Sequence, residues 1–169
     1  MTPAYVALGS NLDDPAAQLR SAVRALRLLE HAEIQAISQV YRSAAMGPGR
    51  QPDYLNAVVR LATTLDAEQL LAALQDIEMA HGRTRHERWA ARTLDLDLLL
   101  YDDLQLHTDS LTLPHPGMRD RPFVLFPLRD VATANLVLPD GTELDTLLAE
   151  CPRDELRPAG LELTSEATC

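Results

Sequence analysis

The sequence predicts an α+β fold, a mostly antiparallel sheet with helices packed on it. Three observations predict it. Short apolar runs bounded by Gly, Pro, Asn and Asp read as strands. Two stretches carry apolar residues at helical spacing between those runs. Through residue 101 the order is strand, helix, strand, strand, helix, strand, the split βαβ pattern of ferredoxin-like folds. That pattern leads us to expect the helices on one face of the sheet. The 169 residues fit one domain, taken as 1–169, with no function assigned to the tail 151–169.

Residues 4–8 form an apolar run that ends at Gly9-Ser10-Asn11, a strand running into a turn. Asp14 followed by Pro15 reads as an N-cap with proline at the first helical position. Leu19, Ala22, Val23 and Leu26 then recur on one helical face, opposite Arg20, Arg24 and Arg27. Residues 34–41 read as one strand, and 43–53, with Gly47, Pro48, Gly49 and Pro52, as a loop. Residues 54–64 form the next strand. Asp66 and Gln69 have capping-box spacing ahead of the stripe Leu70, Leu71, Leu74 and Ile77, and Gly82 can end that helix. Residues 93–101 are a strand, 114–122 irregular, and 123–132 helical around Pro127. Residues 136–138 form a short strand before the Pro139-Asp140-Gly141 turn.

Composition removes several function classes. The charge sum is 15 − 25 = −10, which argues against a broad nucleic-acid-binding surface. All 15 positive residues are arginine, so neither Schiff-base chemistry nor a P-loop lysine is available. No apolar run approaches the roughly 20 residues of a membrane span, and Met1-Thr2-Pro3-Ala4-Tyr5 has no signal-peptide character. Two cysteines, Cys151 and Cys169, make no framework and no metal spacing, which suits a cytoplasmic protein. Nothing in the chain demands a dimer, and a monomer is expected.

The most informative stretch is Arg92-Thr93-Leu94-Asp95-Leu96-Asp97-Leu98. In a strand, Leu94, Leu96 and Leu98 face the core, and Asp95 and Asp97 share the other face with Cα atoms roughly 6–7 Å apart. Two carboxylates so held can clamp magnesium, which takes one or two carboxylates together with phosphate oxygens. A half-exposed strand with a polar outer face would carry the same pair, although Asp is depleted in strands. Arg83, Arg85, Arg88 and Arg92 crowd the residues just before it. Arginine suits phosphate because its planar fork donates two parallel hydrogen bonds and stays charged. A solvated basic loop pairing with Glu78 and Glu87 explains the arginines alone, but not their adjacency to the carboxylates. Together they describe a site for transferring phosphoryl groups. Trp89, the only tryptophan, can stack on a base or support the loop. Tyr54 and Asn56 share a strand face, where an amide can read a heterocycle's edge and an aromatic can stack on it. Phe123 offers a second aromatic face, though Tyr54 and Phe123 equally suit the core. His115 is either a phosphate donor or an exposed loop residue.

These residues carry a resemblance. Residues 7–12 (Ala-Leu-Gly-Ser-Asn-Leu), 51–56 (Gln-Pro-Asp-Tyr-Leu-Asn), Arg88-Trp89 with the Arg92 to Asp97 block, and Leu113-Pro114-His115 with Arg121 and Phe123 occur in the order and approximate spacing of the 6-hydroxymethyl-7,8-dihydropterin pyrophosphokinases. The likeness runs from the first strand to about Leu128. That family transfers pyrophosphate from ATP to the pterin hydroxymethyl group in folate synthesis and releases AMP. The resemblance implies that Asp95 and Asp97 hold two Mg2+ ions on the ATP phosphates. It implies that Arg83 and Arg92 are catalytic with Asp95 and Asp97, contacting those phosphates and stabilising charge during transfer, and that Arg85 and Trp89 lie in a loop closing over the site. Gln75, Glu78, Leu98, Thr112, His115 and Arg121 match positions around ATP. Tyr54 and Phe123 would sandwich the pterin, Asn56 would read its edge, and Ser43, Ala44 and Met46 would line the loop beside it.

The chain departs from the family pattern in two places. Ala90-Ala91 replaces the usual Gly-Pro between Trp89 and Arg92, and Ser110 stands where an arginine is often found. Two alternatives remain at this stage: another magnesium-dependent phosphotransferase, or a non-catalytic ferredoxin-like binding module. Tyr54, Asn56 and Phe123 discriminate the first, because a pterin sandwich needs all three. Asp95 and Asp97 discriminate the second, because a binding module does not need their charge.

Overall fold

The computed structural model describes residues 1–12, 14–44, 53–82, 94–151, 156–161 and 163. The expected order of elements is present: β1 (Thr2–Ser10), α1 (Pro15–Arg27), β2 (Ala32–Ile37), β3 (Tyr41–Ser43), β4 (Tyr54–Thr63), α2 (Ala67–Ala80) and β5 (Asp95–Tyr101). The chain goes on through β6 (Leu106–His107), β7 (Thr112–Leu113), a 3-10 turn at Met118–Asp120, α3 (Pro122–Val131), α4 (Leu144–Glu150) and β8 (Arg157–Pro158). The main sheet runs β5-β1-β4-β3-β8, with β2 also on β4. Each of these pairings is antiparallel. This is the α+β, ferredoxin-like arrangement that the element order predicts.

Local chemistry sets the helix ends. Asp14 accepts the backbone N–H of Ala17, and Pro15 opens α1. Asp66 and Gln69 exchange both bonds of a capping box, at 2.8 and 2.9 Å. Gly82 follows α2 with φ +81°, a conformation that side chains disfavour.

Three expectations need correction. The strand expected over residues 34–41 is two strands, β2 and β3, both on β4. Ser38 breaks it: its Oγ accepts the Val58 N–H at 2.8 Å and donates to the Gln39 carbonyl, replacing a ladder bond with a side chain. The strand expected at 136–138 is a single bridge, Val137 to Glu143. The helices do not all lie on one face of the sheet. Leu19, Val23 and Leu26 of α1 and Leu70, Leu74 and Ile77 of α2 pack one core with Ala4, Val6, Leu8, Val59 and Leu61. Val124, Leu125 and Leu128 of α3 and Leu144 of α4 pack a second with Tyr5, Val58, Leu99 and Leu100 on the opposite face. An apolar surface as large as the second face of this sheet needs cover, and the chain beyond residue 121 supplies it.

A β-bulge sets the boundary of the site. Leu98 pairs with Val6 and Leu100 with Tyr5, so Leu99 is the extra residue. Leu99 and Leu100 both enter the second core. Before the bulge, alternation is strict, and Leu94, Leu96 and Leu98 belong to the first core. Asp95 and Asp97 therefore share the α3 face of the sheet. Among the described residues, no helix is long and apolar enough to cross a membrane.

Candidate functional site

One row of residues crosses the sheet on that face. Tyr41 of β3 pairs with Asn56 of β4, Asn56 with Gly9 of β1, and Gly9 with Asp95 of β5. The next row carries Val58, Ala7 and Asp97. Neighbouring strands lie roughly 4.8 Å apart, so the Asn56 and Asp95 backbones are roughly 10 Å apart with only a glycine between them. A Cβ built on Gly9 would stand 3.3 Å from Asn56 Oδ1 and 3.8 Å from Tyr54 Cδ1. Glycine in a strand costs pairing entropy, and here it clears the floor between an amide and a carboxylate. Its position inside a strand, rather than at the strand's end, is a signal that the sequence carries.

Asn56 is buried, and its Nδ2 donates to Ser43 Oγ at 2.7 Å. Tyr41, opposite Asn56, is held from the helix side, its hydroxyl donating to Asp130 Oδ2 of α3 at 2.8 Å. No sequence signal pointed to Tyr41 or Asp130, because the two are far apart in the chain. Phe123, half-buried in the first turn of α3, packs against the core of this same face. The Arg121 guanidinium carbon lies 6.0 Å from the Phe123 ring centroid. Tyr54, by alternation with Asn56, faces the same side.

His115 stands beside the carboxylates. Its backbone N–H donates to the Leu99 carbonyl at 2.9 Å, on the strand that carries Asp97. Burial lowers its pKa, the Asp97 charge raises it, and the Arg121 charge lowers it further. Gly117 N–H donates to His115 Nδ1 at 3.1 Å. Since that N–H can only donate, Nδ1 is the unprotonated nitrogen, and the neutral ring carries its proton on Nε2. Gly117 also leaves room for Arg121, whose guanidinium would stand 2.7 Å from a Cβ there. Arg119, between these residues, is paired with Asp140, which anchors the segment.

Asp95 and Asp97 are half-buried carboxylates on one face. Among the described residues no group of three or more His, Cys, Asp or Glu converges as a metal cage. A pair of carboxylates is the set that magnesium uses when phosphate oxygens supply the remaining positions, so these residues fit that ion.

The sequence matches known proteins over most of its length. The profile of the family described as 7,8-dihydro-6-hydroxymethylpterin-pyrophosphokinase (HPPK) matches residues 5–133. The chain belongs to this family. It is 47% identical over 148 residues to the 2-amino-4-hydroxy-6-hydroxymethyldihydropteridine pyrophosphokinase of Pseudomonas aeruginosa, covering 88% of this chain and 91% of that one. The Haemophilus influenzae protein of the same name is 44% identical over 161 residues, covering 94% and 100%. Among solved structures, wild-type HPPK-DHPS of Plasmodium falciparum superposes with a TM-score of 0.66 at 12% identity, covering 88% of this chain. At that identity the likeness concerns the fold alone, and this chain spans 44% of the length of that one.

The fold distributes the remaining candidate residues over the two faces of the sheet and the β6–β7 hairpin. Ser43 and Asn56 meet on the α3 face, and Ala44 is exposed just beyond β3. Gln75 and Glu78 lie on α2, which covers the other face. Glu78 is buried, and its Oε2 accepts the Leu96 N–H at 2.7 Å along the outer edge of β5. The Leu98 side chain is buried in the first core, turned away from Asp95 and Asp97. By strand alternation its N–H shares the outer edge with that of Leu96, so only its backbone can meet a ligand. Thr112 lies on β7, its Oγ1 3.3 Å from His107 Nδ1. Ser110 Oγ donates to Glu68 at 3.0 Å, which ties the β6–β7 hairpin to the start of α2. Met46, Arg83, Arg85, Trp89, Ala90, Ala91 and Arg92 lie outside the described residues.

Proposed function

We infer that the chain transfers pyrophosphate from ATP to the hydroxymethyl group of 6-hydroxymethyl-7,8-dihydropterin. The products are AMP and the pterin diphosphate used in tetrahydrofolate synthesis. The observation that carries this reading is Gly9 between Asn56 and Asp95. An amide able to read a heterocycle stands across one bare strand position from a carboxylate suited to a phosphate-bound cation. Such spacing suits an acceptor hydroxyl held beside a nucleotide's phosphates, which supports the reading.

Each group then has a chemical task. Asn56 reads the pterin edge, with Tyr54 and Phe123 stacking on its two faces and Ser43, Ala44 and Met46 beside it. Arg83, Arg85, Arg92 and Arg121 take the phosphates, for which fork geometry and permanent charge suit them. His115, a neutral Nε2–H donor, gives one further hydrogen bond to an anionic oxygen without competing for metal. Gln75, Glu78, Leu98 and Thr112 border the nucleotide, and Trp89 covers it. Asp95 and Asp97 hold two Mg2+ ions. Bound magnesium neutralises phosphate charge and aligns the in-line displacement. Excluding water is then essential, because water is a competing acceptor. The protein acts as a single domain and a monomer in the cytoplasm.

The test is AMP release from ATP and magnesium with and without 6-hydroxymethyl-7,8-dihydropterin. Pterin-dependent AMP together with a diphosphorylated pterin is the expected result. Folded protein that binds magnesium–ATP and yields no AMP with the pterin would overturn the reading. It would leave a different acceptor or a non-catalytic binding module.

A further inference from the structure

We propose that Gly117 is a positioning residue for the nucleotide: the side chain it lacks leaves a seat for the Arg121 guanidinium, and that seat aims the guanidinium at a phosphate. The proposal rests on the reading above, in which Arg121 takes phosphate oxygens. Arginine meets phosphate through a planar fork, so its head must arrive in one orientation. Its long side chain has many rotamers. Binding that must first freeze them is weaker than binding to a head already in place.

The backbone fixes the root of Arg121. Its N–H donates to the Met118 carbonyl at 3.4 Å, and its own carbonyl accepts the Val124 and Leu125 N–H groups at 2.9 and 3.0 Å, the first bonds of α3. Met118 is fully buried in the second core, and Arg119 is tied to Asp140 and Thr142. Only the head remains to be set. Arg121 is exposed, and among the described residues no carboxylate pairs with it. Its guanidinium lies on Gly117 instead. A Cβ built there would stand 2.7 Å from the guanidinium carbon, 2.8 Å from Nη2 and 3.0 Å from Nε. The carbon is the nearest of the three, so the group rests on its flat face. The N–H groups lie in the plane and stay free to meet an anion. The Phe123 ring centroid stands 6.0 Å from the same carbon, and the guanidinium charge is felt at His115. Gly117 itself has φ −97° and ψ 0°, a conformation open to alanine. The glycine is needed here for space, not for backbone freedom.

Gly117→Ala isolates the seat. The Gly117 N–H that donates to His115 Nδ1 is a backbone group and survives the change. The crowded atoms are the end of a flexible side chain, so the fold adapts at little cost while the head is displaced. The experiment measures the dissociation constant of magnesium–ATP, the Michaelis constant of the pterin and the melting temperature. The proteins are the wild type, Gly117→Ala, Arg121→Ala and the double variant. Gly117→Ala is expected to melt at the wild-type temperature or slightly above it. It should bind magnesium–ATP roughly fivefold more weakly, with a smaller change for the pterin. In the Arg121→Ala background it should cost nothing further, because the head it displaces is gone. Wild-type magnesium–ATP affinity in Gly117→Ala or in Arg121→Ala, or a loss that persists in the double variant, would each overturn the proposal. So would a lowered melting temperature with both substrates weakened alike, which would make Gly117 part of the fold only. A wild type that gives the expected magnesium–ATP results yet forms no pterin diphosphate would take down the functional reading and leave the seat standing. A wild type that binds no magnesium–ATP would take down both.

Discussion

The backbone N–H of Gly117 donates to Nδ1 of His115 at 3.1 Å. Protonating that ring turns the acceptor into a donor and breaks the bond. Burial already lowers the His115 pKa, and of the two charges acting on it Asp97 raises the value and Arg121 lowers it. The unfolded chain therefore takes up this proton at a higher pH than the folded chain does. The stability involved is complete above the ordinary value of 6.5 and is lost as pH falls through the lower folded value. The melting temperature of the ligand-free protein should fall between about pH 7 and pH 5. His115→Asn keeps an acceptor near the Nδ1 position and removes the titration, so its curve should be flatter. Parallel curves for the two proteins would refute the link.

Asp97 shares the α3 face with Asp95 and lies half-buried beside His115. Asp97→Ala removes charge where phosphates are to be neutralised. Turnover should fall by about 10²–10³-fold, with little change in melting temperature, because the position is at the margin of the core. AMP production by a folded Asp97→Ala protein at the wild-type rate would contradict the role given to this carboxylate.

Where the sequence was legible, the signal was local. The alternation of Leu94, Leu96 and Leu98 with Asp95 and Asp97 gives the strand, its two faces and the carboxylate pair at once. Asp66 and Gln69 announce the start of α2 three residues apart. The illegible features join distant residues. Ser38 splits the strand expected at 34–41 by bonding Val58. Leu99 bulges because Tyr5 and Val6 lie opposite it. Glu78 caps the β5 edge at Leu96, and Asp130 holds Tyr41. Each depends on which elements become neighbours, which periodicity does not encode. The second helical layer is illegible for a related reason. The run 123–132 reads as a helix, but nothing in it names the sheet face that it will cover.

Gly9 makes the clearest steric prediction. A methyl group there would lie 3.3 Å from Asn56 Oδ1, tighter than ordinary contact. β1 is extended, so alanine meets no backbone strain, and the amide must give way. Gly9→Ala should raise the Michaelis constant for the pterin by roughly tenfold through overpacking. Magnesium–ATP binding should be near normal. Steady-state kinetics varying each substrate separately would show this split, and equal damage to both would mean that Gly9 serves the strand rather than the acceptor site.

Leu156 extends the same logic to the end of the chain. It is buried against Tyr41 and Phe126, just before β8 pairs with β3. Ala159 N–H then donates to the Val40 carbonyl at 2.8 Å, and Leu163 is buried in the core on the far side of the sheet. The segment thus wraps the free edge of β3, the strand that presents Ser43 to Asn56. Leu156→Ala leaves a cavity beside Tyr41 and should cost about 2 kcal/mol, the low end for a buried leucine because the cluster is small. Loosening β3 should weaken the pterin more than magnesium–ATP, since β5 and β7 have no part in this packing. Denaturant melts and the two dissociation constants test it. A variant that loses stability while both ligands bind as before would show that the strap holds the fold without tuning the site.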